Sequence, residues 1–164
     1  MPLSCFAQPY GKGVYNANVP YGDETSLSIS TNASLNIPVT PTSAGTLATG
    51  VNAVTVTSTD VMGYKLYIRS LDNNTYMDNI GPQIPASTNV APGAALATNT
   101  WGYKTPELTN YVGITSSDVL IHSATTPFSS GELTNVTFGV YINMLKPAGN
   151  YAAKVVYTAV PQTN

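Results

Sequence analysis

The sequence predicts an all-β protein: an antiparallel, immunoglobulin-like β-sandwich of about eight strands behind an extended N-terminal arm, with a jelly roll as the alternative. Three observations carry this. Charged residues make up only 9% of the 164, and Glu, Lys and Arg are what surface helices are built from. Thr, Ser, Asn and 11 Tyr stand in their place; Thr and Tyr, with Val, suit a pleated, half-buried surface. Short runs also alternate apolar with polar residues, separated by turns that 12 Pro and 13 Gly supply. No amphipathic stretch is long enough for a stable helix, and no repeat of fixed period is seen. The length fits one domain with a sizeable core.

Residues 1–7, "MPLSCFA", put small residues at the −3 and −1 positions of a cleavage after Ala7. They read as the tail of a secretory signal or as a disordered terminus with an incidental thiol. Residues 8–23, "QPYGKGVYNANVPYGD", are rich in Gly, Pro, Tyr and Asn and read as an extended arm. The single sandwich domain is expected over 24–164.

Its first strand alternates Leu27 and Ile29 with serines. A second alternates Leu35, Ile37 and Val39 with Ser34, Asn36 and Pro38; Pro38 lacks an N–H, which places this strand at an edge or ends it there. "TPTSAGTLATGVN" reads as a loop with a short strand near Leu47, and Val54 and Val56 mark the next strand. "GYKLYIRSL" has the cleanest two-faced pattern, Tyr64, Leu66 and Ile68 against Lys65, Tyr67 and Arg69. "DNNT" is a turn, and residues 78–98 form a long Pro- and Ala-rich connection with short extended pieces near Ile84. Trp101 and Tyr103 share one face of "NTWGYKT", and 105–116 is a loop. Val119 and Ile121 begin a strand in "DVLIHS", with His122 out of phase and facing solvent. Val136, Phe138, Val140 and Ile142 alternate strongly. The last strand runs from Tyr151 to Val160, its inner face either Ala153, Val155, Tyr157 and Ala159 or Ala152, Val156 and Val160.

Composition excludes several function classes. Net charge is −2, and the six cations are scattered, so there is no electrostatic footprint for nucleic acid. No apolar run approaches the ~20 residues of a transmembrane segment. The single cysteine, Cys5, forbids an intramolecular disulfide. With one histidine, His122, and Cys5 far away in sequence, no zinc set assembles. No Ser sits in a G-x-S-x-G pattern that would join His122 in a triad. Asp72 and Asp78 with Asn73 and Asn74 could face a calcium ion, but the Asp-x-Asp-x-Asp pattern is missing and a solvated turn is expected. Asn32, Asn73 and Asn135 head glycosylation-type sequons of the kind chance supplies in an Asn- and Thr-rich chain. An internal Lys–Asn link through Lys65 or Lys154, with Glu107 or Glu132 as helper, is not expected, because both lysines fall on solvent faces. No catalytic, cofactor-binding or metal residue is assigned, and no cofactor is implied.

Residues expected to meet a partner or ligand are Trp101, Tyr103, Tyr67, Tyr10, Tyr15 and Tyr21. Trp101 with Tyr103 could stack on a sugar or could fill the core. Tyr67 and the arm tyrosines are the better contact candidates.

"VTVTSTDVMGYKLYIRS", "ALATNTWGYKT" and "TNVTFGVYINMLKPAGNYAAKVVYTAVPQ" resemble, in that order, a class of secreted bacterial surface β-sandwich modules of Gram-positive and small-genome bacteria. The resemblance covers about residues 50–161. It implies a scaffold and a location, and carries over no catalytic residue. The closing P-A-G-x-Y strand is also similar, more weakly, to pilin-like domains of the spore-coat-U type, whose usual disulfides this chain cannot form. No Leu-Pro-x-Thr-Gly sorting signal follows Val160.

The expected function is an extracellular structural or adhesive protein of the cell surface, extending to a pilus or filament subunit that assembles by strand exchange through its arm. Its partners would be copies of itself or other surface proteins. The alternative is an extracellular carbohydrate- or ligand-binding sandwich using the 78–116 loops, with a glycan as partner. The two differ at Trp101, buried in the first and exposed in the second.

Overall fold

A computed structural model describes residues 26–162 of the chain. Residues 1–25, with the expected arm and its Tyr10, Tyr15 and Tyr21, lie outside the described residues, as do 163 and 164. The strands are β1 (Ser26–Thr31), β2 (Thr46–Thr59), β3 (Gly63–Ser70), β4 (Met77–Asp78), β5 (Gln83–Ile84), β6 (Thr100–Lys104), β7 (Val119–Ala124), β8 (Glu132–Ile142) and β9 (Val155–Gln162), with one 3-10 turn at Leu71–Asn73. They form an antiparallel β-sandwich. One sheet is ordered β1-β2-β8-β6, the other β7-β3-β9, and β4 and β5 make a small hairpin. Among the described residues no helix is long and apolar enough to cross a membrane.

One core lies between the sheets. Val54 and Val56 of β2 and Val136, Phe138, Val140 and Ile142 of β8 meet Tyr64, Leu66 and Ile68 of β3. Alternation dictates this: in each of these strands every second side chain points inward, and the polar set between is left to the outer faces. Trp101 and Tyr103 of β6 join the same core, with ring centroids 6.3 and 6.4 Å from Phe138.

The glycine between them has a separate reason. Gly102 of β6 pairs with Gly139 of β8, on the outer face of the sheet. The 105–116 loop folds back over that face and lays the Tyr111 ring in the trough the two glycines leave. A Cβ on Gly139 would sit 2.5 Å from that ring, and one on Gly102 would sit 2.3 Å from the Val112 carbonyl oxygen. Tyr111 is buried there, and the Lys104 ammonium stands 5.2 Å from its ring centroid.

Four expectations need correction. The Leu35–Val39 run is extended but joins no ladder: residues 33–41 form no strand and make no hydrogen bond through their backbone among the described residues. Its alternation is real, since Leu35, Ile37 and Val39 are half-buried against the core while Ser34, Asn36 and Pro38 are exposed. Leu35 and Ile37 pack where Gly50 of β2 has no side chain, and a Cβ there would meet Ile37 at 2.9 Å. Second, the expected loop and short strand near Leu47 are one 14-residue β2 that runs through Gly50 to Thr59, held by β8 from Thr46 to Val56. Third, β9 begins at Val155 rather than Tyr151; of the two inner faces expected, Ala153, Val155, Tyr157 and Ala159 is the one that packs against the core. Fourth, His122 does not face solvent, for the reason given next.

Candidate functional site

Two places in the sandwich gather groups that could act: a polar cluster around His122 and an apolar cleft beside residues 33–41.

His122 is turned inward by a β-bulge. Along β3 and β7 the register passes from Leu66↔His122 to Tyr67↔Leu120, which leaves Ile121 as an extra residue. An extra residue shifts the phase of everything beyond it. His122 therefore stands opposite Leu66, on the face that carries Tyr64, and its ring centroid lies 5.9 Å from that of Tyr64. A regular strand with Ile121 inside would have put His122 outside. Sequence periodicity cannot register a one-residue bulge, which is why the environment of His122 was not foreseen.

The bulge gives this histidine two carboxylates. Its Nδ1 is 2.7 Å from Oε1 of Glu107, on the loop after β6. Its Nε2 is 3.2 Å from Oε2 of Glu132, at the start of β8, close but not aligned as a hydrogen bond. The Tyr64 hydroxyl donates to the same Glu132 oxygen at 2.7 Å. Burial first, and then the Glu132 carboxylate, push the Tyr64 phenol well above its usual range. The cluster ties β3 and β7 of one sheet to β8 of the other. Nδ1 is held by Glu107, and Nε2 is buried beside Glu132 without an aligned hydrogen bond, so neither nitrogen is presented to a substrate. The arrangement is that of a polar staple between the sheets.

Among the described residues no group of three or more His, Cys, Asp or Glu side chains is arranged to hold a metal ion. At the turn considered for calcium, the Asp78 carboxylate instead accepts from the side-chain amides of Asn74 at 2.7 Å and Gln83 at 2.6 Å. Lys65 and Lys154 are exposed.

The cleft opens at the other end of β8. It encloses about 750 Å³ and is lined by Leu35, Ile37, Val39 and Pro41 on one side, by Val140, Ile142, Met77 and Ile84 at its floor, and by the 144–151 turn with Tyr151. Lys146 of that turn donates to the Gln83 carbonyl, tying the turn to β5. Met144, on the rim, is 68% exposed. An apolar trough beside an extended backbone with unused hydrogen-bonding groups is a surface that can accept another extended segment.

The proposed contact residues divide. Trp101 is only 2% exposed and Tyr103 only 1%. The Trp101 indole N–H donates to the Thr75 carbonyl at 3.0 Å, inside the protein. Neither ring can stack on a sugar, because their large apolar area is spent on the core; the ligand-binding alternative loses the platform it was given. Tyr67 is half-buried on the outer face of the three-stranded sheet, between Leu120 and Thr158 in register, and can still touch a partner. The cleft itself was missed as a site. Its only signal in the sequence was the pair Pro38 and Pro41 inside an alternating run, which marks a segment unable to complete a ladder.

In comparisons with family models, curated proteins and solved structures, nothing matches this chain.

Proposed function

We propose that this protein is an extracellular structural or adhesive module of a cell surface that assembles with copies of itself, as a filament subunit does. The observation that carries the reading is the cleft beside residues 33–41: apolar walls next to an extended backbone that bonds to nothing among the described residues. Such a backbone is a template for main-chain pairing, and pairing by strand addition draws its affinity from those hydrogen bonds and its specificity from the neighbouring pockets. The composition of the chain supports an outside location. It is poor in charge, at 9% charged residues, and rich in Thr, Ser and Asn. The resemblance to secreted bacterial surface modules points the same way, and the burial of Trp101 favours a scaffold over a sugar platform.

The test is the size and shape of the full chain in solution, by light scattering across a concentration series and by negative-stain microscopy, beside a chain lacking residues 8–23 whose fold is checked by near-ultraviolet circular dichroism. Ladders or filaments from the full chain are expected, and their loss with the arm. A monomer at every concentration would overturn the assembly reading.

A further inference from the structure

We propose that the cleft receives residues Tyr15–Tyr21 of a second copy, joining copies head to tail; this rests on the self-assembly reading above and names its partner segment.

The first argument is polarity. Ser26, where the described chain begins, pairs with Thr59 at the far end of β2. The cleft walls Val140 and Ile142 pair with Ala48 and Thr46, near the start of β2. Thr59 and Ala48 are eleven residues apart, roughly 36 Å along a strand at about 3.3 Å per residue. The arm thus joins the sandwich at one end, and the cleft lies at the other.

The second is reach. Asn18, the centre of the segment, is eight residues before Ser26 and extends at most about 27 Å from it, at ~3.4 Å per residue. It cannot arrive at the cleft of its own copy, and only the Tyr15 end could approach it. A neighbour's segment has no such limit. An arm on one end and its receptor on the other make a heterologous contact, which propagates into an open chain unless a rotation closes it.

The third is chemistry. Tyr15, Ala17, Val19 and Tyr21 alternate with Asn16, Asn18 and Pro20. In an extended chain they form one apolar face about 20 Å long. The segment carries no charge of its own, and the charged side chain in the cleft lining, Lys146, already donates to the Gln83 carbonyl. Apolar side chains of one face meet Val140 and Ile142, and the peptide groups meet those of residues 33–41.

Two full-chain variants test this. Val19→Asp spoils the apolar face of the arm. Met144→Asp puts a charge on the cleft rim at an exposed position where the fold can bear it; circular dichroism checks both. Each variant alone is expected to stay monomeric where the unsubstituted chain assembles. Mixed, they are expected to give a one-to-one pair that grows no further, since the Met144→Asp copy still has its arm and the Val19→Asp copy still has its cleft. Assembly by either variant alone would overturn the proposal while leaving self-assembly standing, and so would a mixture that stays monomeric. An unsubstituted chain that never assembles would overturn both.

Discussion

Strand β3 and the segment 33–41 carry the same pattern and reach different ends. Both alternate apolar and polar residues, and both aim the apolar set at one core. In β3 the set is sealed: Tyr64, Leu66 and Ile68 are each 0% exposed, because β7 and β9 close both of its edges with hydrogen bonds. In 33–41 the set is only half-buried and no ladder forms. Pro38 and Pro41 remove two donors, and the packing of Leu35 and Ile37 over Gly50 lays the segment across β2 instead of beside it. Period-two alternation reports which side of a chain is buried. It does not report whether the backbone beside it is paired.

The largest expected effect on this contrast comes from alkali, since residues 33–41 carry no titratable side chain and the laddered core carries several. Burial pushes the Tyr103 phenol up to about 12. It pushes Tyr157 up as well, with the nearby Tyr103 adding to the rise, and Tyr111 also rises by burial. An unfolded tyrosine titrates near ~10. The folded state therefore holds these protons more tightly, and the resulting stability is complete below about pH 10 and is lost as pH climbs through the folded values. Tyrosinate absorbance should rise in two phases, exposed rings first, and the second phase should coincide with loss of near-ultraviolet circular dichroism. A single phase near 10 with the fold intact would contradict the burial of these rings.

Next come matched truncations. Leu66→Ala empties a sealed site and should cost about 2–5 kcal/mol by urea denaturation. Ile37→Ala removes similar chemistry from a half-exposed segment and should cost about 1 kcal/mol, in proportion to the smaller area buried. Equal losses would mean that the unladdered segment is as integral to the fold as β3. Of similar size to the second is Tyr64→Phe, which deletes one hydrogen bond to Glu132 while keeping the ring. It should cost about 1 kcal/mol, at the upper end if Glu132 is left without a replacement donor.

Much of the architecture was legible in the sequence. Each of the seven long strands was located by its alternation, though the first half of β2 was read as a loop and β9 was started four residues early, and the burial of Tyr64, Leu66 and Ile68 was readable residue by residue. What was not legible has a common cause. The bulge at Ile121, the continuous β2 through Gly50 and the Tyr111 ring over Gly102 and Gly139 all depend on contacts between segments distant in sequence. The candidate sites depend on the same contacts. His122 acquires Glu107 and Glu132 only because a bulge turns it inward, and the cleft exists only because 33–41, 77–84 and 144–151 meet. Trp101 was open between core and surface because a lone aromatic on an alternating strand has the same periodicity in either role; the Thr75 carbonyl that satisfies its N–H decides it.

The smallest expected effect tests whether β3 is held by its ladders rather than by its charges. Arg69 and Asp118 form an ion pair of 3.5 Å at the end of β3 and the approach to β7, with side chains 34% and 51% exposed. At that exposure the Coulomb gain is screened, and much of it is offset by the entropy of fixing a long side chain. Arg69 also donates to the Ser70 carbonyl at 3.1 Å, a contact that Asp118→Ala leaves in place. That substitution should therefore lower stability by no more than about 0.5 kcal/mol, and raising the salt concentration should erase even this difference. A loss comparable to Leu66→Ala, persisting at high salt, would show that charge rather than main-chain pairing fastens β3 to β7. The contrast with residues 33–41 would then lie in the lack of charged residues along that segment, and its missing ladder would be incidental.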